Sequence, residues 1–171
     1  MNNSNPTNGW HTYEMQWTPN TISFSVDGHE VRHVDADDHE AVSLLHKAQE
    51  LRMNFWTPTF PTWSTGLNSK DMPWYLLVDY VEVYKYDEKT KKFDLNWRDD
   101  FNELDPKRWH KLSGTFEGST SNFSPSNVFT KDGNLVIKME PSEGHIHEHE
   151  EVMHSHYQKG HEQHGVVTTP E

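Results

Sequence analysis

Alternating side chains between residues 10 and 34 constrain the fold of this chain most. Apolar and polar side chains alternate over residues 13–17, and the alternation resumes over residues 22–26. Alternation with a period of two residues is typical of a strand with one buried face. Asp27-Gly28 follows, and this pair suits a type I′ turn because both central positions need positive φ. The segment therefore predicts an antiparallel meander and an all-β fold class. Its expected inner face consists of Tyr13, Met15, Trp17, Ile22, Phe24 and Val26.

Further strands are expected downstream, separated by turn-forming residues. Residues 51–56 alternate Leu, Met and Phe with Arg, Asn and Trp, which predicts a strand. Residues 74–86 are apolar on both faces in their first half, which predicts a central strand covered on two sides. Residues 127–140 predict a hairpin that turns at residues 131–134, with Leu135, Ile137 and Met139 on its inner face. Residues 35–50 carry apolar groups near helical spacing, which favours a short surface helix.

Four blocks of sequence are similar to glycoside hydrolase family 16, the lichenase-like β-glucanases. The blocks are HTYEMQWTPNTISFSVDGHEV, LRMNFWTPTFPTW at 51–63, VDYVEVYKY at 78–86, and FDLNWRDDFNELDPKRW with KDGNLVIKME across 93–140. In the usual order of the family, the last pair opens the domain and the HTY block comes late. Here the late blocks come first. The order therefore resembles a circularly permuted 1,3-1,4-β-glucanase, over residues 10–140.

The resemblance implies a curved β-sandwich of the jelly-roll, concanavalin A-like type, circularly permuted, with a sugar cleft on its concave face. Residues 1–9 would then be a loop, and residues 10–86 would supply late-family strands. Residues 87–92 form a charged linker, and residues 93–140 would supply early-family strands of the same sandwich. Residues 141–171 are rich in His and Glu and are expected to be a disordered tail.

The catalytic motif of the family is the notable departure. A retaining glycosidase needs a nucleophile and an acid/base carboxyl about 5–5.5 Å apart. The family carries them as E-x-D-x-E or E-x-D-x-x-E on one strand, and neither spacing occurs in this sequence. In the permuted order that strand would precede Trp10. The resemblance therefore implies an incomplete domain, no catalytic residue is assigned, and whether the chain is an enzyme stays open.

Substrate-binding residues are implied by the resemblance. Arg52, Asn54, Trp56 and Trp63 match positions that line the sugar cleft of the family. Thr115 follows Gly114, which stands where the permuted enzymes carry a cleft Trp. From the residues alone, an amphipathic strand with a packed Pro-aromatic loop is an equally good interpretation.

Two metal sites are considered. The resemblance implies a structural calcium held by Asp79, Asp100 and the Gly133 carbonyl, because hard oxygen donors suit that ion. The alternative is that both carboxylates are ordinary strand-end charges. The tail could bind zinc, nickel or copper through imidazoles, although its spacing matches no closed zinc module. Its histidines are His145, His147, His149, His154, His156, His161 and His164.

Composition limits the partners. The chain has 15 Lys and Arg against 27 Asp and Glu, a formal net charge of -12, which argues against nucleic acid and anionic membranes. It contains no Cys, no apolar run of membrane-spanning length and no signal-peptide pattern at its start. Three functions are carried forward: part of a secreted, extracellular endo-β-1,3-1,4-glucanase acting on β-glucan, a non-catalytic β-glucan-binding module, and a metal-binding protein that uses its His tail. Self-association through exposed sheet edges is also expected.

Overall fold

The computed structural model describes residues 9–60, 62–63 and 69–142. Its regular elements are the strands β1 (Tyr13–Trp17), β2 (Thr21–Val26), β3 (His29–Asp35), β4 (Trp74–Val78), β5 (Val81–Asp87), β6 (Lys92–Asp99), β7 (Val128–Lys131) and β8 (Asn134–Met139), the helix α1 (Glu40–Ser43), and 3₁₀ turns at Ser69–Asp71 and Pro125–Asn127. The all-β class is confirmed, and its antiparallel sheets are consistent with a jelly-roll sandwich. None of the helices in these ranges is long and apolar enough to span a membrane.

The chain divides into two compact units. The first consists of Met1–Ala48 and Tyr84–Asp94, and the second of Gln49–Val83 and Leu95–Glu171. The first unit contains the sheet β1-β2-β3, and the second contains the sheet β4-β8-β7. Strands β5 and β6 pair as a separate two-stranded sheet whose residues are shared between the units. The expected linker at 87–92 spans the end of β5, its turn and the start of β6.

The sheet of the first unit is the predicted antiparallel meander. Tyr13 pairs with Val26, and Trp17 pairs with Ile22, so the apolar side chains share one face. Asp27 and Gly28 have φ values of 51° and 75°, as a type I′ turn requires. The expected burial of this face is wrong over much of its length, because Tyr13, Met15 and Phe24 are 66%, 54% and 38% exposed. Burying a sheet face requires a second layer, and only Ile22 of these paired residues is buried.

The second unit is organised around β8, which lies between β4 and β7. Its side chains are buried on both faces, as shown by Leu135, Val136 and Ile137. Leu135 and Ile137 form the core with Phe101, which has no exposed surface. Other side chains pack against this cluster: Met53, Phe55, Leu76, Val78, Val81, Leu104, Trp109 and Val128. The predicted hairpin over residues 127–140 is confirmed, because β7 and β8 pair around the turn at residues 131–134.

The prediction of one long central strand over residues 74–86 is wrong. The run breaks at Asp79-Tyr80 into β4 and β5, and β4 lies at the edge of its sheet. Tyr75 and Leu77 point away from the core and are 53% and 45% exposed. Apolar side chains on both faces indicated a covered strand, but the central position is taken by β8.

The predicted strand at residues 51–56 has no ladder partner among the described residues and is not a regular strand. Its alternation holds over residues 52–55, because Met53 and Phe55 pack on the core while Arg52 and Asn54 are exposed, but Leu51 is 38% exposed. The helix expected within residues 35–50 is limited to the single turn α1. No side chain caps its first residue, and Asp35 belongs to β3 instead. The His-rich tail lies outside the described residues.

Candidate functional site

Two loops of the second unit that are distant in sequence are held together by backbone hydrogen bonds. The Thr59 amide donates to the Gly118 carbonyl at 2.8 Å, and the Thr120 amide donates to the Thr57 carbonyl at 2.9 Å. The Thr57 amide also donates to the Ser121 hydroxyl at 3.1 Å. Residues 57–59 and 118–121 therefore form one surface, even though about 60 residues separate them in the chain.

Aromatic side chains surround this junction. The Trp56 and Phe116 rings meet edge to face with centroids 4.8 Å apart, and Phe116 stacks on Phe123 at 5.8 Å. Phe60 and Trp63 form a second edge-to-face pair at 5.9 Å. We call these five side chains the aromatic patch. Trp63 is 73% exposed, so its ring is accessible to a ligand, and Phe60 beside it is 49% exposed.

Arg52 and Asn54 lie on the strand-like segment that leads into the patch. They alternate with Met53 and Phe55, which pack on the core, so their side chains lie on the outer side. Arg52 forms an ion pair with Glu50 at 2.8 Å and stays more than half exposed. Arg52 and Asn54 are thus exposed on the segment that ends at the half-buried Trp56, and their role in binding a sugar stays a prediction.

Thr115 has a structural contact in the same region. Its hydroxyl donates to the Ser121 carbonyl at 2.7 Å, and the side chain is half-buried. The preceding Gly114 has a φ of 96°, a conformation that favours glycine, and its amide donates to the Phe123 carbonyl at 3.0 Å. Thr115 thus holds the loop that carries Phe116, and its hydroxyl proton is already used.

The three predicted calcium ligands come to the same end of the second unit. Val78 pairs with Leu135, so Asp79 follows at the end of the sheet where the β7–β8 turn carries Gly133. The Arg98 guanidinium lies 4.1 Å from the centre of the Tyr80 ring, next to Asp79. Arg98 also contacts Asp100 at 2.6 Å, which brings that carboxylate to the same region.

The donors at this end are suitable in kind for calcium. Asp79 is an exposed carboxylate at the end of β4, and the turn at Gly133 provides a carbonyl. Asp100, followed by Glu82, raises the pKa of Arg98, so the Asp100 carboxylate is partly engaged by an ion pair. No group of three or more His, Asp or Glu side chains in the described ranges could hold a metal ion. A calcium site here would depend on backbone oxygens and water.

A partly buried carboxylate next to this region was not predicted from the sequence. Asp99 is only 11% exposed, and it accepts hydrogen bonds from Trp109 Nε1 at 2.7 Å, the Phe101 amide at 3.0 Å and Arg108 at 3.2 Å. Burial alone would raise the pKa of Asp99, but these hydrogen bonds outweigh it and lower the pKa. The Arg108 guanidinium also lies 4.4 Å from the Trp97 ring centre. Because every oxygen has a partner, Asp99 is structural rather than catalytic.

Comparison with known proteins adds to this geometry. The family model of glycosyl hydrolases family 16 matches residues 1–76. The chain resembles family 16. It is also 34% identical, over 134 residues, to a beta-glucanase from Fibrobacter succinogenes (strain ATCC 19169 / S85). That match covers 76% of this chain but only 38% of the relative. The family 16 resemblance predicted from the four sequence blocks is therefore confirmed, whereas the permuted order stays a prediction.

Sequence reasoning missed part of the patch. It assigned Trp56 and Trp63 through the family 16 resemblance, but it gave no role to Phe116 and Phe123. The signal was weak, because both rings occur in a Gly/Ser/Thr-rich stretch that predicts only a loop. Their stacking depends on the hydrogen bond between Gly114 and Phe123, which no periodicity indicates.

Proposed function

We propose that this chain carries the β-glucan-binding surface of a family 16 endo-β-1,3-1,4-glucanase domain, a retaining glycoside hydrolase. One observation supports this most: the hydrogen-bonded junction of residues 57–59 with residues 118–121, which sets Trp56 against Phe116. The same junction leaves Trp63 largely exposed beside it. The resemblance to a beta-glucanase supplies the ligand class.

Recognition of a neutral polysaccharide follows from the chemistry of these side chains. The C–H face of a pyranose is apolar and stacks on an aromatic ring, for which Trp63 provides exposed area. Sugar hydroxyls need donors and acceptors, and the Asn54 amide provides both while Arg52 provides donors. The net charge of -12 disfavours anionic polymers and is compatible with an uncharged glucan.

Hydrolysis is not expected from this chain alone. Retention requires two closely spaced carboxyls, and the E-x-D-x-E pattern does not occur in the sequence. In the proposed domain, this pair would come from a strand that the sequence of this chain does not contain. The permuted arrangement, with residues 10–86 joined to residues 93–140 through residues 87–92, is part of the same proposal.

A non-catalytic β-glucan-binding module is the second candidate. It is favoured by the same surface, because sugar binding by Arg52, Asn54, Trp56 and Trp63 would need no pair of catalytic carboxyls. The two candidates differ in whether a catalytic strand completes the domain. The metal-binding alternative depends on histidines outside the described residues and would show as binding that requires nickel or zinc.

A structural calcium ion is proposed at Asp79, Asp100 and the Gly133 carbonyl. When bound, the ion would supply a positive charge next to the two carboxylates. Its coordination would link three separate parts of the chain. The support is the placement of these donors at one end of the second unit. Gly133 has a φ of 74°, which fixes the direction of its carbonyl in the tight turn.

Two further parts of the proposal concern the setting of the protein. An extracellular location is proposed because of the family resemblance. Self-association is proposed because the face of β1 and β2 exposes Tyr13, Met15 and Phe24. Large exposed apolar patches favour association. Size-exclusion chromatography with light scattering would show a monomer at all concentrations if this part is wrong.

Calorimetric titration with barley β-glucan, combined with a reducing-sugar assay, tests the proposed function. We expect binding without release of reducing ends. Absence of binding would refute a glucan-binding surface. Turnover that is lost on substitution of a single carboxylate would instead show that this chain contains its own catalytic pair.

A further inference from the structure

Phe60 rests on the backbone of the facing loop. A methyl group built at Gly118 would lie 3.0 Å from Phe60 Cε2 and Cζ, so the ring occupies the space that a side chain would need. Gly118 also has a φ of 86°, which favours glycine. The Gly118 carbonyl accepts a hydrogen bond from the Thr59 amide at 2.8 Å, which fixes the loop next to Phe60.

On its other side, Phe60 contacts Trp63. The two rings meet at an interplanar angle of 63° with centroids 5.9 Å apart. The Trp63 amide donates to the Phe60 carbonyl at 3.0 Å, so a backbone hydrogen bond also links the two residues. No second aromatic ring pairs with Trp63 in the described ranges. Phe60 is therefore the ring contact that restrains a Trp side chain that is otherwise mostly in solvent.

We propose that Phe60 is a positioning residue for Trp63. The Gly118 backbone fixes Phe60, and Phe60 in turn fixes the plane of the indole on which a glucose ring stacks. Holding an exposed side chain in its bound orientation removes the entropy cost of ordering it on binding. This inference rests on the proposed function, because it concerns how the same surface binds glucan.

Phe60 acts through Trp63 and does not itself contact the polymer. Its substitution should nevertheless weaken glucan binding. We expect Phe60→Leu to lower affinity for barley β-glucan about three- to tenfold, the size associated with ordering one side chain. Phe60→Tyr should bind with the affinity of the wild-type protein, because the aromatic ring is kept. In a double-mutant cycle, Phe60→Leu should add little once Trp63→Ala is present. Tyr75→Leu is the matched control, since Tyr75 is similarly exposed but lies on β4.

A readout without glucan separates this inference from the proposed function. In ¹⁵N NMR spectra, the Trp63 indole resonance is assigned by its loss in Trp63→Phe. It should shift in Phe60→Leu, because the ring current of Phe60 is removed, and it should not shift in Tyr75→Leu.

The outcomes are distinct. An unshifted Trp63 resonance in folded Phe60→Leu would overturn the inference, and so would a shifted resonance with unchanged affinity. If the wild-type protein does not bind glucan, the proposed function fails together with any role of Phe60 in binding. The resonance would then still decide whether the Phe60 ring lies against Trp63.

Discussion

Trp63 is the single residue on which the proposed glucan contact depends most directly. Its ring is 73% exposed, which leaves a face free for a sugar. By analogy with the stacking of bases on aromatic side chains, Trp63→Ala should weaken binding of barley β-glucan by about 1–3 kcal/mol. Titration calorimetry measures this loss. Tyr75→Ala should bind like the wild-type protein, and equal affinities for all three proteins would contradict the assignment.

Asp99 predicts a defined dependence of stability on pH. Its pKa is lowered in the folded protein relative to the ordinary value of 3.8, so its ionised form stabilises the fold above that value. This contribution is lost as the pH falls through the lower, folded pKa. Asp99→Asn should reduce the free energy of unfolding by about 2 kcal/mol near neutral pH, because a partly buried, charged acceptor of several hydrogen bonds is lost.

Urea denaturation of both proteins from neutral to acidic pH tests this prediction. The difference between wild type and Asp99→Asn should shrink once the pH is well below 3.8. A difference that does not change with pH would show that packing of the side chain, and not its charge, stabilises this region.

For single residues, the sequence predicted which way a side chain faces but not which other residues it contacts. The alternation over residues 51–56 placed Arg52 and Asn54 opposite the core, and the structure agrees. The hydrogen bond between Asp99 and Trp109 could not be predicted, because the chain turns irregularly between them. The same is true of the Phe60 contact with Gly118, which joins two loops.

At the scale of elements, the hairpin turns were the most predictable feature. Asp27-Gly28 and Asp132-Gly133 both have positive φ at each residue. An Asp-Gly pair predicts this from the sequence, because few other residues tolerate that backbone. Strand partners were less predictable. Periodicity shows which side chains face inwards, but it does not show which strand lies alongside, and so β4 was wrongly placed at the centre.

Gly133→Ala tests the turn of the β7–β8 hairpin. A methyl group at this position would meet no atom within 4 Å, so any loss of stability comes from the backbone conformation alone. We expect a loss of about 1 kcal/mol, since positive φ is unfavourable for alanine. Gly133→Asn should lose less. Thermal melting measures both, and an unchanged melting temperature in Gly133→Ala would contradict the turn assignment.

At the scale of the whole molecule, the fold class was predictable and the completeness of the domain was not. An all-β class followed from alternation and turns and is confirmed. The order of the family blocks suggests a permuted sandwich, but strand order in sequence does not fix how sheets pack. The chain spans 38% of the length of the beta-glucanase it matches. Its relation to a complete catalytic domain is therefore a proposal.

The proposed calcium ion would link segments that are distant in sequence, and its effect on thermal stability can be measured. Asp79, Asp100 and Gly133 come from three parts of the chain, so an ion bound by them would stabilise the folded state. Calcium should raise the melting temperature, and a chelator should reverse the effect. Asp79→Asn should abolish this response. Melting curves that do not respond to calcium or chelator would remove the proposed site.

The central claim is that the aromatic patch binds β-glucan, and affinity electrophoresis tests it most directly. The wild-type protein and the Trp63→Ala and Tyr75→Ala variants are run in native gels with and without barley β-glucan. The account predicts that glucan retards the wild type and Tyr75→Ala but retards Trp63→Ala much less. Equal migration of all three proteins in both gels would contradict it.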